Sequence, residues 1–163
     1  AGFSTFGEIL GIPINQTLSA LAFFEATPDY RDPFMSAFPV HYAAFASHDR
    51  SALATLLHPG FTGRVSEGMP FGLGGIVHSP EQMLRDVWGG ASKYYEIAPH
   101  PDEYVTAGEN RIIVLGYYRG HCRTTGRRYT AAFAHDITVR DGKIASLTQI
   151  TDTKPWHDAL AAG

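Results

Sequence analysis

The chain lacks the features that mark disulfide-rich and membrane-spanning proteins. It has one cysteine among 163 residues, Cys122, so no internal disulfide can form, and a reducing cytoplasm is the expected location. No hydrophobic run approaches the roughly 20 residues that span a bilayer. The longest run, residues 18–24, is not preceded by the basic residues that open a signal peptide. We therefore expect no membrane partner.

Charge is also scarce, and no basic excess is present. Charged residues make up 18% of the chain, below the usual level of about 25%. The 13 basic and 16 acidic residues give a net charge of −3, so we expect no nucleic-acid partner. Hydrophobic residues reach 44% and aromatic residues 12%. This composition and length indicate one compact domain with a large apolar interior, or one that lines a pocket.

Motifs for metals, cofactors and activated thiols are absent as well. The eight histidines include no HxxxH pair, so we expect no metal site. Residues 72–75 are glycine-rich but lack the spacing and the strand-to-helix context of a dinucleotide fingerprint, and no cofactor is expected. Cys122 lies between His121 and Arg123, but neighbouring strand residues point in opposite directions, which disfavours an activated thiolate.

A proline-rich break divides the chain. Residues 27–33 contain two prolines and three charges, which predicts a linker. We therefore divide the chain into an N-terminal extension, residues 1–33, and a domain, residues 34–163. The extension includes a short apolar helix over residues 17–26, which would serve as a packing arm or as a lid over a pocket.

The first half of the domain reads as helical. Phe38, Tyr42 and Phe45 recur at helical spacing over residues 34–47. Asp49 can cap a second helix that runs to about Leu57. A short strand over residues 61–66 and a glycine-rich loop over 67–77 follow. Ser79 then caps a third helix, which is expected to run to about Trp88 and to end at residues 89–90.

The second half reads as β-structure. Residues 94–105 are aromatic but irregular in pattern. Three or four antiparallel strands are predicted; three of them lie over residues 111–122, 128–140 and 143–151, with Asp141-Gly142 as a hairpin turn between the last two. A short helix ends the chain near residues 155–161. This order predicts an α+β fold in which the helices cover one face of a curved sheet and leave a cone-shaped cavity.

Two stretches carry a resemblance to a known family. They are the helix pair over residues 38–57, closing with Leu57-His58-Pro59-Gly60-Phe61, and a C-terminal run: Gly126-Arg127-Arg128, Ala132-Phe133-Ala134-His135, Val139-Arg140-Asp141-Gly142-Lys143-Ile144 and Thr151-Asp152-Thr153. In these the chain resembles the nuclear-transport-factor-2-like (NTF2-like) superfamily, and within it the SnoaL-like, ketosteroid-isomerase-like proteins. The resemblance implies a cone-shaped α+β barrel, with an antiparallel or mixed sheet wrapped around N-terminal helices.

The resemblance also implies a homodimer through the outer sheet face, but it leaves the activity open. Relatives include isomerases, polyketide cyclases, dehydratases, epoxide hydrolases and domains without known activity. Positions where hydrolase relatives carry Arg and Asp hold Gly116 and Tyr118 here, and a third acidic position holds Gln149. The ketosteroid-isomerase base position holds Val65, with Glu67 two residues later. The hydrolase machinery is therefore absent, and an isomerase of that type would need Glu67 as its base.

His135 is the remaining candidate for proton transfer. Strand alternation puts Phe133, His135 and Ile137 on one face, which the family register makes the inner one, and turns Asp136 outward. An imidazole in an apolar cavity can hold a pKa near neutral. Tyr118 and Gln149 would project into the same space and polarise or hold a substrate oxygen. These three are the candidate catalytic residues, although a hydrogen-bonded core histidine is an equally open interpretation.

The resemblance implies the reaction class, and it leaves two functions open for these residues. The first is a cofactor-independent isomerase, cyclase or dehydratase that acts on a hydrophobic, oxygenated small molecule, polyketide- or terpenoid-like. The second is a non-catalytic domain for ligand binding or oligomer assembly. The candidate substrate-binding residues are Phe38, Tyr42, Phe45, Val65, Glu67, Trp88, Phe133, Ile137 and Leu147.

Overall fold

A computed structural model of the chain describes residues 49–161. The expected extension, the helix over residues 34–47 and the side chains of Phe38, Tyr42 and Phe45 lie outside these residues. The α+β class is confirmed. The elements in chain order are α1 (Arg50–Leu56), β1 (Leu57–Val65), a 3-10 turn (Pro70–Gly72), β2 (Gly75–Val77), α2 (Pro80–Gln82), a π-helical turn (Met83–Trp88), α3 (Gly89–Tyr94), β3 (Tyr95–Thr106), β4 (Arg111–Cys122), β5 (Arg128–Arg140), β6 (Lys143–Thr151) and α4 (Lys154–Leu160).

The six strands form one curved, mixed sheet in the order β2-β1-β6-β5-β4-β3. Strands β3 to β6 pair antiparallel as successive neighbours, and β1 pairs parallel to β6. The sheet does not close into a barrel. Register shifts at Pro101/Glu103 in β3 and Thr138/Val139 in β5 mark irregularities of the kind that bend strands.

The predicted strands β4, β5 and β6 and the turn between the last two are confirmed. Asp141 and Gly142 have φ values of 52° and 69°, the left-handed conformation that a two-residue hairpin turn requires. The irregular β-structure expected over residues 94–105 is confirmed as strand β3 (Tyr95–Thr106), whose pairing with β4 shifts register between Pro101 and Glu103. Its two prolines are tolerated because, among residues 49–161, β3 is an edge strand with one neighbouring strand, β4.

The third helix starts as predicted but does not end at Gly89-Gly90. The Ser79 side chain accepts a hydrogen bond from the Gln82 amide at 3.2 Å. The helix then widens into the π-helical turn and continues as α3 to Tyr94. A Cβ on Gly89 would lie 2.6 Å from the Leu84 carbonyl oxygen. The glycine therefore permits a widened turn, where the sequence pattern indicated a stop.

The core lies between the inner face of the sheet and the helices. Along β5 the buried residues are Tyr129, Ala131, Phe133, His135, Ile137 and Val139, in strict alternation. The last helix, α4, covers one end of this face with Trp156, whose ring meets those of Tyr95 and Tyr129 at 5.1 Å each. Among the described residues, no helix is long and apolar enough to cross a bilayer.

Gly116 allows β4 to lie close to β3, and its replacement by alanine tests this packing. A Cβ there would lie 2.3 Å from the His100 carbonyl oxygen and 2.9 Å from the Phe133 ring. We expect Gly116→Ala to lower the free energy of unfolding by about 1–3 kcal/mol, since the backbone must shift. Gly60→Ala is the matched control in β1, where the nearest atom is the flexible end of Arg140 at 3.2 Å. Equal urea midpoints for the two variants would contradict this packing.

Candidate functional site

Two buried side chains on neighbouring strands form the centre of the candidate site. Tyr118 of β4 is 7% exposed and His135 of β5 is 5% exposed. The Tyr118 hydroxyl lies 2.7 Å from Nε2 of His135. Alternation turns both side chains inward, as the sequence predicts, and the antiparallel register brings them within hydrogen-bond distance.

Gln149 joins this pair from β6. It is 6% exposed and lies directly opposite His135 in the β5–β6 register. Its amide oxygen accepts a hydrogen bond from the indole Nε1 of Trp88 at 3.4 Å. Because the oxygen of the amide faces Trp88, its nitrogen is the end available to donate.

The Tyr118 hydroxyl is held in its protonated form. Burial raises the pKa of Tyr118 far above its usual value, and a hydrogen bond from Gln149 acts in the opposite direction. When the hydroxyl oxygen accepts from the Gln149 amide, its own proton is directed at Nε2 of His135. In that arrangement the imidazole is neutral and carries its hydrogen on Nδ1.

The imidazole is much less basic than the sequence indicated. Burial lowers the pKa of His135 to about 3, because no water is available to solvate the charged ring. The expected pKa near neutral is therefore wrong. At neutral pH, His135 offers a hydrogen-bond acceptor to Tyr118 and takes a proton only while a neighbouring anion or dipole compensates its charge.

The surroundings of the pair are apolar. The ring of Phe133 stacks on His135 with centroids 4.1 Å apart and lies 4.8 Å from the Tyr118 ring. Three of the expected pocket residues, Val65, Ile137 and Leu147, are buried at 1–3% exposure. Val65 is the parallel partner of Gln149. The predicted inner-face residues of β1, β5 and β6 are thus brought together around the polar group.

Glu67 does not join them. Its side chain is 76% exposed and pairs with Arg64 at 3.6 Å, in the loop that follows β1. The outward position expected for Asp136 agrees with its ion pair to Arg111 on the opposite face. Within residues 49–161, no cluster of three or more His, Cys, Asp or Glu side chains has the geometry of a metal site.

Sequence reasoning missed the link between Trp88 and Gln149 and the aromatic support beneath the pair. Trp156 lies 5.3 Å from the Tyr118 ring and donates from its indole to Thr151 at 3.2 Å. Thr151 donates in turn to the Ala132 carbonyl at 2.8 Å. Trp88 was among the expected pocket residues, but no pattern in the sequence linked it to Gln149. No pattern in the sequence pointed to Trp156.

The buried imidazole makes stability depend on pH. An unfolded histidine binds a proton below a pH of about 6.5, whereas folded His135 stays neutral down to a pH of about 3. The unfolded state binds more protons in this window, so the free energy of unfolding should rise with pH across it. His135→Leu should reduce that slope by up to about 1.4 kcal/mol per pH unit.

Urea unfolding at several pH values measures this slope. His78→Leu, at an exposed histidine, serves as the control. Its slope should lie closer to that of the unmodified protein than the slope of the His135→Leu variant does. An unchanged slope in the His135→Leu variant would show that the imidazole titrates normally.

Comparison with solved structures shows proteins that share this fold. An NTF2-like protein from Burkholderia thailandensis E264 is 28% identical, with a TM-score of 0.70, over 80% of this chain and 98% of its own. One of unknown function from Burkholderia pseudomallei K96243 is 26% identical, with a TM-score of 0.72, over 80% and 99%. TerC, co-crystallised with polyporic acid, is 27% identical, with a TM-score of 0.69, over 78% and 98%.

The family itself is fixed by a sequence model. Among curated proteins, none matches the chain. The model of the SnoaL-like domain matches residues 40–147, which is more than half of the chain and includes strands β1 to β5. The fold agrees with that match, since the NTF2-like structures above share it over about four fifths of the chain. The chain therefore belongs to the SnoaL-like domain family of NTF2-like proteins.

Proposed function

We propose that this protein binds a hydrophobic, oxygenated small molecule against the inner face of its sheet, and that Tyr118, His135 and Gln149 move a proton on it. The reaction class is isomerisation, cyclisation or dehydration without a cofactor. The observation that carries this proposal is the buried 2.7 Å hydrogen bond between Tyr118 and His135 within an apolar shell.

The substrate class rests on the lining and on one relative. Aromatic and aliphatic side chains surround the polar group, which suits a largely apolar ligand with one or two oxygens. TerC, at 27% identity, was co-crystallised with polyporic acid. We therefore propose an aromatic, polyketide- or terpenoid-like compound as the ligand, and polyporic acid as the first probe.

The proton path follows the hydrogen bonds. A substrate C–H bond beside a carbonyl gives its proton to the Tyr118 oxygen while the hydroxyl proton of Tyr118 passes to Nε2 of His135. No tyrosinate forms, which the raised pKa of Tyr118 would oppose. The products of this step are an enolate and an imidazolium. Return of the proton through Tyr118 to a different atom completes an isomerisation.

Gln149 would stabilise the enolate oxygen. One N–H of its amide donates to Tyr118, and the second is available for the substrate. Trp88 fixes the orientation of this amide by donating to its oxygen. A fixed donor beside a developing negative charge is more effective in a dry site than in water. The apolar shell also strengthens attraction between the enolate and the imidazolium.

One observation favours the second candidate, a non-catalytic ligand-binding or assembly domain. Because burial lowers the pKa of His135 to about 3, the imidazole is a weak base at neutral pH, and a bound substrate must supply the compensating charge. If no substrate does so, the same residues form a polar anchor that binds the oxygen of a ligand without chemistry.

Removal of one hydroxyl tests the proposal. Tyr118→Phe keeps the ring but breaks the proton path, so we expect turnover to fall about 100-fold or more. Binding of polyporic acid should weaken by about tenfold or less, since one hydrogen bond is lost. Turnover on a panel of aromatic polyketides is measured by chromatography coupled to mass spectrometry, which separates isomers of equal mass, and binding by calorimetry.

Tyr129→Phe is the matched control. Tyr129 is a buried tyrosine whose hydroxyl has no hydrogen-bond partner among residues 49–161, so its loss should leave turnover unchanged. Full activity in the Tyr118→Phe variant would contradict the proton path. Binding without turnover across the whole panel would support the non-catalytic candidate instead.

We also propose a homodimer through the outer face of the sheet. Tyr117, Leu115 and Ile150 are 41%, 37% and 56% exposed on that face, and large apolar side chains gathered on a sheet surface are typical of an interface. Two identical faces of this kind can pair about a two-fold axis.

Light scattering on two variants tests the dimer. We expect Tyr117→Lys to halve the molar mass, because it would bring like charges together across the two-fold axis. Ile76→Lys, at an apolar residue on β2 that is 64% exposed, should leave the mass unchanged. A monomeric protein before mutation would contradict the proposal.

A further inference from the structure

A cleft of about 540 Å³ opens on the outer face of the sheet, near the hairpin that joins β4 and β5. It is lined by Arg119, Gly120, His121, Arg128, Tyr129 and Thr130. Arg119 and His121 alternate with the inward residues Tyr118 and Cys122, so their side chains lie on the opposite face from His135. The cleft is therefore separate from the candidate active site.

Small residues leave room for this cleft. In the strand register, Arg119 has Ala98 of β3 on one side and Thr130 of β5 on the other. Gly120 cannot be replaced by a larger residue without movement, because a Cβ there would lie 2.0 Å from the Glu96 carbonyl oxygen. The cleft is therefore bounded by two features. Strand β3 lies close to β4 at this glycine, and the side chains beside Arg119 are short.

The cleft lies in the most basic segment of an acidic protein. Residues 119–128 contain four arginines and no acidic residue, although the chain carries a net charge of −3. Two of these arginines have structural roles. Arg123 donates to the Ser92 carbonyl at 2.9 Å and pairs with Glu96 at 3.3 Å. Arg127 donates to the Asp158 carbonyl at 3.2 Å.

The other two arginines face the cleft without an acidic partner. Among residues 49–161, neither Arg119 nor Arg128 forms an ion pair. Arg119 lies opposite Thr130 and His121 lies opposite Arg128, so the two guanidinium groups occupy diagonal positions of one strand pair. Residues at such positions are about 7–8 Å apart, close enough for long side chains to contact one ligand.

The charge of Arg119 is felt by its neighbours. Burial and the charge of Arg119 both lower the pKa of His100, against an opposite effect of Asp102. Arg119 and Arg128 carry like charges at diagonal positions and therefore repel each other. An anion bound between the two guanidinium groups would remove this repulsion.

The geometry points to a binding site for the phosphate group of a small organic molecule, with Arg119 and Arg128 as its principal ligands. Each guanidinium can donate two parallel N–H bonds to phosphate oxygens, and the Thr130 hydroxyl adds a further donor, whereas Nε2 of His121 lies 4.0 Å from the Glu96 carboxylate. A phosphate monoester carries a charge of about −1.5 to −2 at neutral pH, which matches two arginines better than the single charge of a carboxylate. The volume of the cleft leaves space for an organic group beside the phosphate.

Amide chemical shifts in a titration at constant ionic strength test this site. The probes are inorganic phosphate, phenyl phosphate and benzoate. We expect phenyl phosphate to shift the amides of Gly120, His121 and Thr130 with a Kd of about 1 mM or tighter. Inorganic phosphate should bind the same residues more weakly, and benzoate more weakly than phenyl phosphate.

Arg119→Gln and Arg128→Gln should each weaken phenyl phosphate binding by about tenfold or more. Arg64→Gln is the matched control, an exposed arginine on β1, which is not a neighbour of β4 or β5, and should bind as the unmodified protein does. Equal weakening by Arg64→Gln would show a general charge effect and overturn the site. Shifts that do not saturate, or benzoate binding as tight as phenyl phosphate, would also overturn it.

The molar mass of the two arginine variants shows whether the cleft is a phosphate site or part of an interface between two copies of the chain. If Arg119→Gln or Arg128→Gln changes the molar mass, the arginines contact a second copy of the chain and the phosphate assignment is wrong. Calorimetry with polyporic acid on the same two variants separates this site from the proposed inner-face function. Neither arginine lies on the inner face, so both variants should bind polyporic acid as the unmodified protein does.

Discussion

The hydrogen bond between Tyr118 and His135 is the interaction on which the candidate site depends. Two long antiparallel strands, β4 and β5, place both side chains on the inner face and bring their polar atoms to 2.7 Å. A buried neutral imidazole or phenol without a partner would cost about 1–3 kcal/mol. Each residue therefore stabilises the burial of the other, and the apolar residues around them can pack tightly.

Burial sets the chemistry of this pair as strongly as it sets the packing. It lowers the pKa of His135 to about 3 and raises that of Tyr118. Both changes favour the neutral forms, in which Tyr118 donates and His135 accepts. The site is thus prepared to move a proton along an existing hydrogen bond, and it does not hold a permanent charge. Gln149 and Trp88 complete the arrangement by fixing the donor that faces the tyrosine oxygen.

Much of the fold and part of the site could be predicted from the sequence, because both follow from strand alternation. The pattern over residues 111–122 and 128–140 gave the strand bounds correctly, and the family register applied to its alternation gave the inward direction of Tyr118, Phe133 and His135. The helix end was wrong, since a π-helical turn at Gly89 depends on a carbonyl contact that no local pattern records. The sequence left open whether β3 was a separate strand, because its edge position, which tolerates proline, is a property of the whole sheet.

The limits of sequence reasoning are clearest for properties that depend on distant neighbours. Alternation predicts that His135 points inward, but its pKa depends on how completely Phe133 and the other strands exclude water. The outer cleft also depends on distant neighbours. The sequence shows four arginines within ten residues. Only the structure shows that Arg123 and Arg127 contact other segments, which leaves the other two arginines to line the cleft without an acidic partner.

The most direct test of this account is the protonation of the His135 ring, measured by the nitrogen chemical shifts of the imidazole between a pH of about 4 and 8. The account predicts a neutral ring throughout, with hydrogen on Nδ1 and a bare Nε2 that accepts from Tyr118. A ring that titrates near its ordinary pKa of about 6.5, or that carries its hydrogen on Nε2, would contradict it.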